Sequence, residues 1–239
     1  TMVRMIRNSA VAVAAKNAGL DFIMLDLEHG PYGFETVDDV FKVGRALGIG
    51  CFVRVPELAK GYVSRAYDCG ATGVMVPMLE SVEQAQLLVR WGKYAPVGSR
   101  GFGGAGGHSN FTGVAPADTP AFMARANVET MTIAQIETAK AIENVDAIAA
   151  VPGIDALLIG PNDLAISIGV AGDLMGPVLD QAIGKVAEAA RKHGKIFGMH
   201  GPDGLNERWL PKGMTLVMSN LDTNIVNAGL KAISLKYTS

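Results

Sequence analysis

The sequence predicts one α/β domain of the (β/α)8 TIM barrel class, and three observations carry that prediction. The chain has 239 residues, close to the length at which eight strand–helix units close into a barrel with a large core. Short apolar runs with β-branched content alternate with longer segments of helical period, the order that builds a parallel sheet with crossover helices. The turn after the first run, Ile6-Arg7-Asn8-Ser9, contains no glycine. An open doubly wound sheet would carry Gly-x-Gly-x-x-Gly there.

The elements follow in order. Met2–Arg7 is the first strand and Ser9–Ala18 its helix. Phe22–Leu27 is an almost unbroken apolar run, as a strand covered on both faces should be, and Phe34–Leu47 returns with helical period. Cys51–Val55 and Lys60–Asp68 make the third unit, Gly73–Met78 and Ser81–Trp91 the fourth. Ala95–Asp118 is a long irregular segment, and segments of that length are usually functional or disordered. It is expected over the mouth of the barrel, with the glycine-rich Gly101–Gly107 as a mobile lid. Strands Met131–Ile136, Ala156–Gly160, Lys195–His200 and Leu216–Asn220 complete the set, with helices Ala139–Ala149, Val178–His193, Gly204–Leu210 and Asp222–Ile233.

Bulk composition narrows the function classes. Apolar residues make up 49% and charged residues 18% of the chain, the balance of a well-filled globule. With 21 basic against 23 acidic side chains and no long basic run, nothing supplies the footprint that nucleic acid binding needs. Cys51 and Cys69 lack disulfide or zinc-site spacing, so a reduced, cytoplasmic protein is expected. No apolar run is long enough to span a bilayer, so no membrane association is expected. Thr1 stands directly on the first strand, and a short preceding segment is expected to be missing from this sequence.

Barrel enzymes carry their chemistry at the carboxyl ends of the strands, and ionisable residues collect there. Strand two ends in Asp26-Leu-Glu-His29, strand three carries Arg54, strand five ends in Gln135-Ile-Glu137, and strand six runs into Gly160-Pro-Asn-Asp163. Glu137 and Asp163 on adjacent strands are the kind of carboxylate pair that a hard cation such as Mg2+ or Mn2+ prefers. Without a cation such a buried pair would repel. Arg54 inside an apolar strand needs an anionic partner, which reads as a carboxylate-binding role. His29 follows a buried strand three residues after Asp26, and a neighbouring carboxylate is the usual device for fixing an imidazole. His200, at the end of strand seven, can line the mouth. Lys195 opens its strand on the opposite face, and the other lysines lie on helices or loops, which disfavours an imine-forming aldolase. Strands seven and eight lack a glycine-rich phosphate site.

These motifs resemble the HpcH/HpaI aldolase family of class II pyruvate aldolases, which act on 4-hydroxy-2-oxo acids. The resemblance runs from about Ala18 to Asp222 through Gly19-Leu-Asp-Phe-Ile-Met-Leu-Asp-Leu-Glu-His29, Val53-Arg-Val-Pro56, Asp68-Cys-Gly-Ala71, Val76-Pro-Met78, Pro96-Val-Gly-Ser-Arg-Gly101, Gln135-Ile-Glu-Thr138 and Ile159-Gly-Pro-Asn-Asp-Leu164. It implies a (β/α)8 barrel assembled as a homo-oligomer, a hexamer or trimer, with the last helix exchanged between subunits. It implies Glu137 and Asp163 as ligands of Mg2+, Mn2+ or Co2+, Arg54 as the group that stabilises an enolate, and His29 as acid/base oriented by Asp26. Asp68 matches a supporting acidic position and Gln135 a polar group beside the substrate. The backbone amides of Asn162 and Asp163 would meet the substrate carboxylate. Arg7 and the glycine-rich segment depart from the family pattern where the aldehyde half is expected. The implied activity is cleavage or formation of a carbon–carbon bond between pyruvate and an aldehyde. Rival readings are a CoA-ester lyase of the citryl or malyl type, an isomerase of a phosphorylated substrate, and a non-catalytic barrel.

Overall fold

The computed structural model describes residues 1–238. Eight strands, β1 (Met2–Val3), β2 (Phe22–Asp26), β3 (Gly50–Arg54), β4 (Gly73–Val76), β5 (Met131–Ile136), β6 (Ala156–Ile159), β7 (Ile196–His200) and β8 (Leu216–Met218), form one sheet in sequence order. Every neighbouring pair is parallel. A parallel bridge from Met2 to Leu221, just beyond β8, closes the barrel. The order leaves no crossover outside a strand–helix–strand unit, the arrangement that right-handed parallel connections produce.

The helices are α1 (Ala10–Asn17), α2 (Phe34–Ala46), α3 (Lys60–Asp68), α4 (Val82–Gly92), α5 (Thr119–Glu129), α6 (Ala139–Ala149), α7 (Pro161–Ser167), α8 (Pro177–Lys192), α9 (Asp203–Trp209) and α10 (Asp222–Tyr237). The expected strands are found, with β1 cut to two residues. Two helices exceed the expected set. In α5 only Phe122 is buried, so it offers no apolar stripe to read. The seven-residue α7 starts at Pro161, where proline is suited to a first turn.

Side chains along a strand alternate between its faces, and this splits the core in two. Met2, Met24, Phe52, Met75, Ile133, Leu158, Leu216 and Met218 fill the barrel interior. The intervening Val3, Leu25, Val53, Ala134 and Leu157 pack under the helices. The same alternation turns Asp26, Arg54 and Gln135, each two residues beyond an interior apolar residue, into the barrel near its carboxyl end.

The segment Ala95–Asp118 does not lie over the mouth. It connects the end of α4 to α5, which leads directly into β5, so the path of the chain puts it at the amino end of the barrel. There Arg45 of α2 donates to Asn110 Oδ1 at 2.7 Å, and Arg100 pairs with Asp68 at 2.5 Å. Phe102 packs against Phe122 and Tyr94, with ring centroids 5.8 and 6.1 Å away. A Cβ on Gly107 would fall 2.5 Å from the Cys69 carbonyl carbon, so glycine lets the segment lie flat on the end of α3. It is packed against the amino end of the barrel and is not a lid over the site.

Candidate active site

Three consecutive strands build one side of the mouth. Asp26 and Arg54 are directly paired residues of β2 and β3, and Arg4 follows β1 in the corresponding interior position. Asp26, fully buried, accepts from Arg54 Nε at 2.8 Å and from Arg54 Nη2 at 2.7 Å. It also accepts from Arg4 Nε at 2.9 Å and from the amide of Glu28 at 3.1 Å. Burial alone would raise the Asp26 pKa, but the bonds from Arg54, its charge and that of Arg4 outweigh it and hold the carboxyl below its ordinary range. Burial likewise works against the Arg54 charge, and Asp26 more than restores it.

Glu28 continues the inward pattern beyond Asp26. Its Oε2 stands 2.8 Å from Arg54 Nη1 yet has no hydrogen bond of good geometry. Burial first, and then the charges of Asp26 and Asp163, raise its pKa against the pull of Arg54 and His29.

On the far side of the mouth, Glu137 follows β5. Its Oε1 accepts from the amide of Met78 at 2.8 Å, an amide presented by a left-handed backbone at φ 52° that only a constrained loop imposes on a methionine. Its Oε2 accepts from Gln135 Nε2. Thr138 caps α6 through the Ala141 amide at 3.0 Å, which fixes where the strand ends and the helix starts. Burial pushes the Glu137 carboxyl up to about 7, with Asp163 and Glu28 adding to the rise.

The chemistry of this corner suits a divalent cation. A buried carboxylate facing Asp163 and Glu28 lacks a positive counterpart of its own, and Gln135 Oε1 is buried without a partner. A Cβ on Gly160 would lie 2.3 Å from Glu137 Oε2 and 2.8 Å from Gln135 Nε2, so only glycine keeps the space in front of Glu137 open. Among the described residues no cluster of three or more metal-binding side chains exists. Glu137 is buried but Asp163 is exposed, so the expected pair is not buried together; as oxygen donors the two would fit only a hard cation that takes its remaining ligands from water and substrate. In α7 the first intrahelical bond is Leu164 to Gly160 at 3.0 Å, so the amides of Asn162 and Asp163 precede it in the first turn.

Other expected residues are placed differently. His29 sits at the rim, its side chain 54% exposed, with Nε2 3.8 Å from Glu28 Oε2. Asp26 reaches only its backbone amide, at 3.4 Å. Asp26 therefore orients Arg54 and not the His29 ring, because it points inward along β2 while His29 lies beyond the end of the strand. Asp68 ends α3 at the amino end of the barrel, so within one chain it is not brought to the mouth. Arg7 donates to the Pro31 carbonyl at 3.0 Å, bracing the loop after β2. Glu28, Arg4, Gly160 and the Met78 amide join the site without a role that the sequence motifs indicate. Alternation along the strand was the available signal for Arg4 and Glu28.

A cavity of about 500 Å3 lies at the amino end, lined by Arg45, Tyr94, Arg100, His108 and Phe122. The mouth opens into a cleft of about 440 Å3 beside Asn162 and His200. Neither Glu137 nor Asp163 lines either space, and Asn162, beside Asp163 in sequence, is the nearest approach of the smaller one to that pair along the chain.

A (β/α)8 barrel with a buried arginine–aspartate pair and a buried glutamate at the carboxyl ends of its strands has the arrangement in which barrel enzymes place their active sites. The HpcH/HpaI aldolase/citrate lyase family profile matches residues 5–225, and the chain belongs to that family. It is 36% identical over 218 residues to a 4-hydroxy-2-oxovalerate aldolase of Novosphingobium aromaticivorans, covering 89% of this chain and 80% of the relative. It is 33% identical to a hydroxypyruvate/pyruvate aldolase of Roseobacter denitrificans, covering 97% and 90%. The crystal structure of an HpcH/HpaI aldolase from Desulfitobacterium hafniense superposes with a TM-score of 0.89 at 31% identity, covering 98% and 91%. No helix among the described residues is long and apolar enough to cross a membrane.

Proposed function

We propose that this chain is a divalent-metal-dependent aldolase that cleaves or forms 4-hydroxy-2-oxo acids. The observation that carries the proposal is the buried Glu137, within reach of the charges of Asp163, Glu28 and Arg54, with Gly160 against its Oε2 where a Cβ would clash. A cation held by Glu137 and Asp163, with Mg2+, Mn2+ and Co2+ as the candidates, would supply Lewis-acid polarisation of the substrate's 2-oxo group.

The chain's own residues supply the rest. The amides of Asn162 and Asp163 hold the substrate carboxylate, and the buried Gln135 fixes Glu137. His29 takes the proton of the C4 hydroxyl, the C3–C4 electron pair moves toward the pyruvate half, and the aldehyde leaves. Arg54, held in plane by Asp26, donates to the oxygen on which negative charge develops. Protonation at C3 then yields pyruvate.

The assembly is proposed to be a homo-oligomer. Asp222 anchors α10 by accepting from the amides of Arg4, Met5 and Ile6 at 2.8–3.0 Å. It is the buried residue of that helix, while Ile225, Leu230, Ile233 and Leu235 are exposed. A helix with so much uncovered apolar surface supports exchange with a second copy.

The test is a panel of 4-hydroxy-2-oxo acids assayed for pyruvate release with Mg2+, Mn2+ or Co2+ and with chelator. Metal-dependent release is expected. Release unaffected by chelation overturns the metal reading, and no pyruvate from any 4-hydroxy-2-oxo acid together with acetyl-CoA formed from citryl- or malyl-CoA favours the lyase reading.

A further inference from the structure

We infer that the cavity at the amino end of the barrel is a second binding site, separate from the catalytic mouth, that takes a small aromatic carboxylate. The cavity, about 500 Å3, is enclosed by residues of α2, α3, α5 and the segment that joins α4 to α5. Sites for small organic molecules span about 300–1000 Å3, so the space suits an organic molecule rather than a bare ion. None of Asp26, Arg54, Glu137 or Asp163 lines it.

Three side chains of its wall carry buried polar atoms without a hydrogen-bond partner among the described residues: Arg100 Nε, Tyr94 Oη and His108 Nε2. Such atoms are costly to leave unsatisfied, and here they gather at one cavity. Arg100 is only 6% exposed. Its guanidinium carbon lies 4.6 Å from the ring centroid of Tyr94 and 5.1 Å from that of Tyr67, so two aromatic rings hold it in place. Asp68 engages it through Nη2 alone, at 2.5 Å. The Asp68 side chain is 40% exposed, so water screens its charge and leaves the guanidinium attractive to a second anion. A carboxylate accepts from a guanidinium through both oxygens, and the Tyr94 hydroxyl adds a further donor.

The rest of the lining sets the body of the ligand. Arg45 and Arg125 join Arg100 against Asp118 and Glu129, so the arginines of the wall outnumber its acidic residues. The Phe122 ring stands beside those of Tyr94 and His108, with centroids 6.4 and 5.8 Å away. Rings so spaced take a further ring edge-on or offset, and the small Ala121 and Ala126 leave room for it. A carboxylate on Arg100 with its ring against Phe122 answers both parts of the wall.

Calorimetric titration of the full chain with benzoate tests this, with benzamide as the neutral isostere and inorganic phosphate as the anion without a ring. Benzoate is expected to bind, and each of the other two at least about tenfold more weakly, the scale of a hydrogen bond to a charged group. Tyr94→Phe removes only an unpartnered hydroxyl, so its melting temperature should not fall, while its benzoate affinity should drop about fivefold, the range of one net hydrogen bond. Arg100→Lys should weaken benzoate by about 10- to 100-fold, because a lysine cannot present the planar pair of donors. Where Arg100→Lys fails to fold, Tyr94→Phe alone decides. Arg54→Lys, at the mouth, should leave benzoate affinity unchanged. No binding of benzoate overturns the inference, as does wild-type affinity in both Tyr94→Phe and Arg100→Lys. Phosphate bound as tightly as benzoate overturns it too, and a loss confined to Arg54→Lys does so by placing the ligand at the mouth.

Discussion

Replacing Asp26 with Asn tests whether this residue serves Arg54 or His29. The substitution preserves shape but removes the charge between two guanidinium groups and turns one acceptor oxygen into a donor. Two bonds from Arg54 at 2.7 and 2.8 Å and one from Arg4 at 2.9 Å are compromised together. Breaking a buried ion pair by removing one partner costs about 3–5 kcal/mol. Arg54 is nearly as buried as Asp26, but Arg4 retains 30% side-chain exposure, so water recovers part of its interaction and the lower end of that range is expected. Turnover should fall further than stability explains. Arg54 loses its aim at the developing negative charge, and removing such a donor costs about 100- to 1000-fold in rate. Urea unfolding gives the first quantity and pyruvate release at saturating metal the second. A double-mutant cycle then identifies the partner. Asp26→Asn and Arg54→Lys should be strongly non-additive in turnover, while Asp26→Asn and His29→Ala should add. Additivity with Arg54→Lys together with coupling to His29→Ala would refute the reasoning, as would near-normal turnover in Asp26→Asn.

Three further outcomes follow from the geometry. His29→Ala should damage aldol cleavage by about 100- to 10,000-fold while pyruvate methyl exchange falls less, because only cleavage requires loss of the C4 hydroxyl proton; equal losses would give His29 a different role. Gly160→Ala places a Cβ 2.3 Å from Glu137 Oε2, so metal affinity measured by calorimetry should drop by about 10- to 100-fold, as when the support of a ligand is disturbed; unchanged affinity would show that Glu137 has room to move. Glu137, raised to about 7, binds its proton more tightly in the folded than in the unfolded chain. The metal-free protein should therefore gain stability as pH falls from about 8 toward 5, a trend that Glu137→Gln abolishes, and metal affinity should weaken over the same interval. Thermal unfolding with and without chelator reads both, and a metal-free protein that loses stability over that interval contradicts the sign.

Much of the site was legible because alternation and register carry so much information in a barrel. Phe52 to Arg54 on β3, and Ile133 to Gln135 and Glu137 at β5, are each spaced by two, which takes an interior apolar position to an interior polar one at the carboxyl end. The glycine before Pro161 marks the open space in front of Glu137. The partner of Asp26 was not legible. Sequence proximity favours His29, three residues away, whereas strand pairing brings in Arg54, 28 residues away. The long segment Ala95–Asp118 was misplaced for a topological reason. A helix-to-strand connection stays at the amino end of a parallel barrel whatever its glycine content. Asp68, which closes the helix before β4, belongs to that same end.

Glu137 and Asp163 are proposed to hold the catalytic cation. Electron paramagnetic resonance of Mn2+ titrated into chelator-treated protein tests it most directly, comparing the wild type with Glu137→Ala and Asp163→Ala and using circular dichroism to confirm the fold. One bound Mn2+ per chain is expected in the wild type, with loss of high-affinity binding in each folded variant. Wild-type Mn2+ affinity in either variant would contradict the assignment.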